Sequence, residues 1–112
     1  MSEKEIVYED EAIVIHRGRD ERNWLFVEQT YYPYPQSDES YVSYRISLSP
    51  SEKTCDLLKY WEGWDGGEGG LNGSVGTTIR LDEEEGAELR RRLRELKKPD
   101  EFDELWAALW RD

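Results

Sequence analysis

His16 is the one histidine and Cys55 the one cysteine in this 112-residue chain. A Ser–His–Asp or Cys–His nucleophile, or a multi-histidine metal site, would have to be assembled around those two side chains, and such sites draw on more ligands than this. His16 closes the apolar run Ile13-Val14-Ile15 and reads as a strand-terminal, surface or half-buried residue. Cys55 reads as a small core residue. Carboxylates are plentiful, 26 in all, and glycoside hydrolysis needs only two of them across a cleft. Their abundance strips any one pair of specificity, and a chain this short leaves little area for a deep cleft beside its core.

Half of the fourteen positions from Gly63 to Gly76 are glycine, which invites a phosphate-loop reading. No lysine follows in Walker fashion and no G-x-G-x-x-G register fits, while Glu62, Asp65 and Glu68 repel phosphate. Asp65, Glu68 and Asn72 miss the EF-hand spacing. The sequence therefore assigns no catalytic residue, no metal site and no cofactor. Chemistry of association is better represented. Trp64 beside glycines and the proline-framed Tyr31, Tyr32 and Tyr34 are the ring types that anchor protein interfaces. With the carboxylates Glu9, Asp10, Glu11, Asp38, Glu39, Glu62, Asp65 and Glu68 they make up the expected partner-binding set.

The net charge of −11, from 26 acids and 15 bases, repels phosphate backbones and anionic headgroups and attracts cationic protein surfaces. Direct nucleic-acid binding and membrane binding are disfavoured; an acidic surface also serves solubility alone. A lone cysteine excludes an intrachain disulfide framework. The chain shows no run of about 18 apolar residues and no signal-peptide pattern at its start, so a cytoplasmic location is expected.

Elements that must position these residues follow from periodicity. Ile6–Tyr8 and Ala12–His16 flank the charged triplet Glu9-Asp10-Glu11 and read as a hairpin. Trp24–Val27 is apolar on both faces, as befits a central strand. The Tyr-Pro segment reads as a loop to about Ser40, and Val42, Tyr44, Ile46 and Leu48 alternate as a one-face-buried strand. Ser49-Pro50-Ser51-Glu52 has capping-box spacing, and Cys55, Leu58 and Trp61 recur at helical intervals, which predicts a short helix to about Trp61. Gly63–Gly76 is then a flexible loop and Thr77–Leu81 a strand. Asp82 with Glu85 predicts a helix carrying Leu89, Leu93 and Leu96, acidic early and basic late, as the backbone dipole favours. Pro99 limits it. Asp100 is expected to cap a last helix with Phe102, Leu105, Trp106, Leu109 and Trp110 on one face.

The expected fold is one α+β domain over residues 1–112, an antiparallel sheet of four to five strands covered by two to three helices from the second half. The expected function is non-enzymatic: a small acidic inhibitor occupying the cationic surface of a nuclease or other nucleic-acid-acting protein. The alternatives are a carboxylate-dependent hydrolase and an oligomeric scaffold, with a homodimer one way to bury the rings. In size and acidity the chain resembles the inhibitors that phages make against host nucleases, anti-CRISPR proteins among them, and bacterial immunity proteins. That resemblance rests on composition and carries no residue roles.

Overall fold

The computed structural model describes residues 3–32, 40–64 and 70–110. Six strands, β1 (Glu3–Glu9), β2 (Ile13–Arg19), β3 (Leu25–Tyr31), β4 (Tyr41–Leu48), β5 (Thr54–Trp64) and β6 (Gly70–Arg80), precede two helices, α1 (Glu83–Glu95) and α2 (Pro99–Leu109). The strands pair antiparallel in chain order, β1 through β6. The class is α+β as expected, but with six strands, all ahead of the helices, and two helices.

Two connections are tight turns, and the second explains where the sequence reading went astray. At Asp20–Asn23 the Asn23 N–H donates to the Asp20 carbonyl (2.9 Å), and at Ser49–Glu52 the Glu52 N–H donates to the Ser49 carbonyl (2.9 Å). Each ends in a left-handed residue, Asn23 at φ 66° and Glu52 at φ 64°, the geometry of a tight turn followed by a bulge residue. The Ser49 hydroxyl accepts from the Thr54 N–H at 3.1 Å. Serine and proline here open a β-turn, with Pro50 at its second position, instead of capping a helix; the same residue types serve both ends. The expected helix from Ser49 to Trp61 is therefore strand β5, with Cys55 and Leu57 inward and buried.

The expected glycine loop is corrected likewise. Gly70–Arg80 pairs with β5 along its whole length, Gly70 opposite Trp64 and Arg80 opposite Thr54. A Cβ on Gly73 would collide with the Trp61 ring laid across it. An aromatic over a cross-strand glycine compensates for glycine's poor strand preference. Asp65 and Glu68 lie outside the described residues.

Alternate residues of the strands supply one apolar face: Ile15, Leu25, Val27, Ile46, Leu48, Cys55 and Leu57 are buried against Leu89, Leu93, Leu96, Phe102 and Leu105. The helix α1 begins as expected, with Asp82 accepting from the Glu85 N–H and Glu85 accepting from the Asp82 N–H. It starts beside the β4–β5 turn, where a Cβ on Gly86 would run into the Glu52 carbonyl. It ends over β2, where the Arg17 guanidinium donates to the Leu93 and Leu96 carbonyls at 3.2 and 3.0 Å and pairs with Glu5 at 3.0 Å. Those carbonyls have no partner within the helix, so Arg17 ties the helix end to the sheet.

The helix α2 starts at Pro99, one residue before the expected Asp100 cap, with proline in its first turn. Glu101 accepts from the backbone N–H of Lys97 and Lys98. From there α2 steps across the sheet: Asp103 accepts from the Gln29 amide of β3 at 3.0 Å, Trp106 meets Tyr44 of β4 edge-on at 5.1 Å, and Trp110 shares a groove with Lys59 of β5 and Val75 of β6.

Replacing a helical glycine by alanine ordinarily stabilises by up to ~1 kcal/mol. Gly86→Ala should instead lower the urea-unfolding free energy by about 1–3 kcal/mol, because the methyl meets backbone and forces the helix off the turn. A stabilised Gly86→Ala would contradict that close approach.

Candidate functional site

Cross-strand register sorts the side chains into rows. The row Ile15, Gln29, Tyr44, Lys59, Val75 lies under α2. The next row, Ile13, Tyr31, Val42, Trp61, Gly73, lies on the same face beyond α2. Ile13 of this row packs against the core and Val42 is half-buried, which leaves Tyr31 and Trp61 as its exposed members. Tyr31 keeps 43 %, Trp61 36 % and neighbouring Val75 44 % of its surface exposed.

Between α2 and the row beneath it runs a groove of about 490 Å³ lined by Tyr44, Lys59, Val75, Phe102, Asp103, Trp106 and Trp110. Trp106 and Trp110 stack with centroids 5.4 Å apart and planes at 13°. The Lys59 ammonium lies 5.5 Å from the Tyr44 ring centre and 5.9 Å from that of Trp61, within cation–π range. Flat rings, one cation and one carboxylate make a surface suited to receiving a side chain or an extended segment.

The acids near this row are the hairpin tip and the start of α2, and they converge. Asp100 contributes to raising the Tyr8 phenol, after the larger effect of Asp10, whose carboxylate Tyr8 bonds at 2.5 Å. Asp10 itself is occupied: its other oxygen accepts from the Ala12 and Ile13 N–H groups, both at 2.8 Å. The Tyr8 hydroxyl and these N–H groups hold its carboxyl below the usual range. Glu9, Glu11, Asp100 and Glu104 form no ion pair among the described residues. The ion pairs lie elsewhere, at Arg17–Glu5, Arg22 with Asp20 and Asp56, Arg45–Glu28, Arg90–Glu52, and Arg91 with Glu88 and Glu95.

The expected partner-binding set is divided by the fold. Asp10 and Glu11 stand at the hairpin tip and Tyr31 on the helix side, whereas Glu9, opposite Val14, lies on the face away from the helices, where it acts on His16. Tyr32 and Glu62 belong to the opposite face, so Tyr31 and Tyr32 form no single cluster. There the Tyr32 and Tyr41 rings sit 6.1 Å apart and Tyr41 and Tyr60 5.8 Å apart, and Glu62 accepts from the Tyr41 and Tyr60 hydroxyls at 3.0 Å each. Burial, then the bond to Glu62, pushes the Tyr41 phenol far up. Glu62 is thus engaged in holding the sheet. Trp64 ends β5 by its backbone. Tyr34, Asp38, Glu39, Asp65 and Glu68 lie outside the described residues.

Sequence reasoning missed Lys59, Trp61, Val75, Trp106 and Trp110 as surface residues. The period-two set Cys55, Leu57, Lys59, Trp61 was present in the sequence, but Cys55, Leu58 and Trp61 fit a helical period equally well. Cys55 is fully buried, and burial pushes its thiol up to about 12, which leaves it unreactive at neutral pH. His16 sits within β2, opposite Ile6 and Glu28 on the face away from the helices. No family model, no curated protein and no solved structure matches the chain. Among the described residues no helix is long and apolar enough to cross a membrane.

Burial, then the Lys4 ammonium, hold the His16 imidazole below its ordinary 6.5, against the opposing pull of Glu28 and Glu9. Its Nδ1 is buried and finds no hydrogen-bond partner among the described residues. The unfolded chain therefore takes up the His16 proton first, so this contribution to stability is complete above pH 6.5 and falls away as pH drops below it. The urea midpoint should decline in that window in the parent, and His16→Gln should flatten the decline there. The loss at lower pH, where the Asp10 carboxyl is protonated, should remain. An unchanged profile would contradict the burial.

Proposed function

We propose that this chain is a non-enzymatic binding protein that covers a cationic surface of another protein, one that otherwise holds nucleic acid, and inhibits it by occupation. The observation that supports this most is the pair of exposed rings Tyr31 and Trp61 on the helix side, with the acids Glu11, Asp100 and Glu104 forming no ion pair among the described residues. Exposed rings supply desolvation energy at an interface centre, and a charged rim supplies orientation and rate of encounter. The chain's excess of 11 negative charges fits a basic partner and disfavours a nucleic-acid ligand.

The Tyr41–Glu62–Tyr60 cluster does not compete for this role, since its hydroxyls and carboxylate satisfy one another. The hydrolase alternative draws no support from the geometry. The acid lining the groove is Asp103, bonded to Gln29, and among the described residues no pair of carboxylates faces across an enclosed cleft.

Immobilised protein should retain basic proteins from its native host at low salt and release them both as salt rises and on addition of DNA or RNA. Trp61→Ala should weaken the retained complex about 30-fold, corresponding to a hot spot of ~2 kcal/mol. Asp100→Lys combined with Glu104→Lys should slow association with little change in the folded state. Retention that neither nucleic acid nor salt reverses would overturn the reading.

A further inference from the structure

The two edges of the sheet are built differently. The β1 edge carries Glu3, Lys4, Glu5 and Glu9 and breaks register between Ile6 and Tyr8. Charges and a bulge are how natural sheets keep an edge from pairing with another chain. The β6 edge has neither. Over eleven residues, GLNGSVGTTIR, it holds no carboxylate, no proline and a single charge, Arg80, in unbroken register with β5. No described element pairs with its outer side. Every second residue along it therefore turns its N–H and C=O away from the sheet.

We propose that β6 is a dimerisation edge, pairing antiparallel with β6 of a second copy so that one sheet runs through both. A two-fold axis at the strand's midpoint puts Val75 against the partner's Val75, two apolar side chains that are each 44 % exposed in the single chain. In that register Gly73 faces the partner's Thr77 and Ser74 faces the partner's Gly76, so polar and small residues meet their like. The charge of the strand selects this occupant over a basic segment: the edge carries Arg80 and no acid, with Lys59 opposite Val75 on the neighbouring strand. It offers a cationic peptide nothing to pair with.

Two copies each carrying −11 repel, and the neutral edge is where they approach with least opposition. Antiparallel pairing also sets the upper end of one copy beside the lower end of the other, which brings the acidic start of the other copy's α1 alongside the bare aromatic row. The hairpin tip, the α2 start and that second α1 start would then border one surface. The pairing stands on the edge strand alone and does not depend on what the row binds.

Sedimentation equilibrium tests it. The parent protein should reach twice its monomer mass of 13.3 kDa, and self-association should tighten as salt rises, because screening relieves the repulsion. This is the opposite of the salt response expected for a basic partner. Val75→Lys, which places two ammonium groups together at the axis, should give monomers with unchanged circular dichroism, whereas Val75→Thr should still dimerise. A parent protein that stays monomeric at its highest soluble concentration in high salt would overturn the proposal. So would a Val75→Lys dimer as tight as the parent's.

Discussion

Two helices cannot cover this sheet, and the placement of the exposed rings follows from that. An eleven-residue strand such as β5 or β6 extends about 36 Å at 3.3 Å per residue. Two helices lying across the strands, each about 10 Å in diameter, cover roughly 20 Å of that length. The thirteen residues of α1 span about 20 Å, somewhat less than the roughly 24 Å between the outer two of six strands spaced about 4.8 Å apart. The shortfall along the strands is the larger one. Arg17 at the carboxyl end of α1 and Gly86 near its start hold the helices towards the lower and middle rows, so the remainder is left at the top, where Tyr31, Val42 and Trp61 stand.

The opposite face solves its lack of a helical cover without leaving rings bare. Phe26 is 2 % exposed there although no helix covers it, because the Arg45 guanidinium lies 4.2 Å above its centre and is fixed by Glu28 at 2.9 Å. Trp24 is likewise topped by Arg22 at 3.9 Å. The guanidinium groups of Arg22 and Arg45 and the Tyr41 and Tyr60 hydroxyls on this face are spent on neighbours, and among the described residues Ile6 and Leu58 project from it as large exposed apolar groups. The two faces therefore differ in kind, one internally satisfied and one with aromatic surface to spare.

Much of this was legible in the sequence. The hairpin tip at Glu9–Glu11, the central β3, the alternating β4 and the capped α1 were written in period-two and 3.6-residue patterns that local chemistry reinforced. The stretch from Ser49 to Gly76 was not. Ser-Pro-Ser-Glu satisfies both a helix cap and a turn, and only the left-handed Glu52, stabilised by what pairs beyond it, decides between them. The glycines of β6 oppose strand formation locally; they are tolerated because β5 supplies the backbone partners and Trp61 needs the space above Gly73. Both are tertiary constraints, invisible in a local window. The same misreading hid the site, since Lys59, Trp61 and Val75 acquire a common face only once β5 and β6 are known to be paired strands.

The most direct measurement is which face of the sheet a cationic probe contacts. Titrating isotope-labelled protein with a poly-arginine peptide and following side-chain resonances by NMR should shift the Trp61 and Trp106 indole signals and the Val42 methyls first, leaving Ile6 and Leu58 methyls in place. Shifts confined to Ile6 and Leu58, with the indoles unmoved, would contradict the assignment of the bare aromatic row as the binding surface.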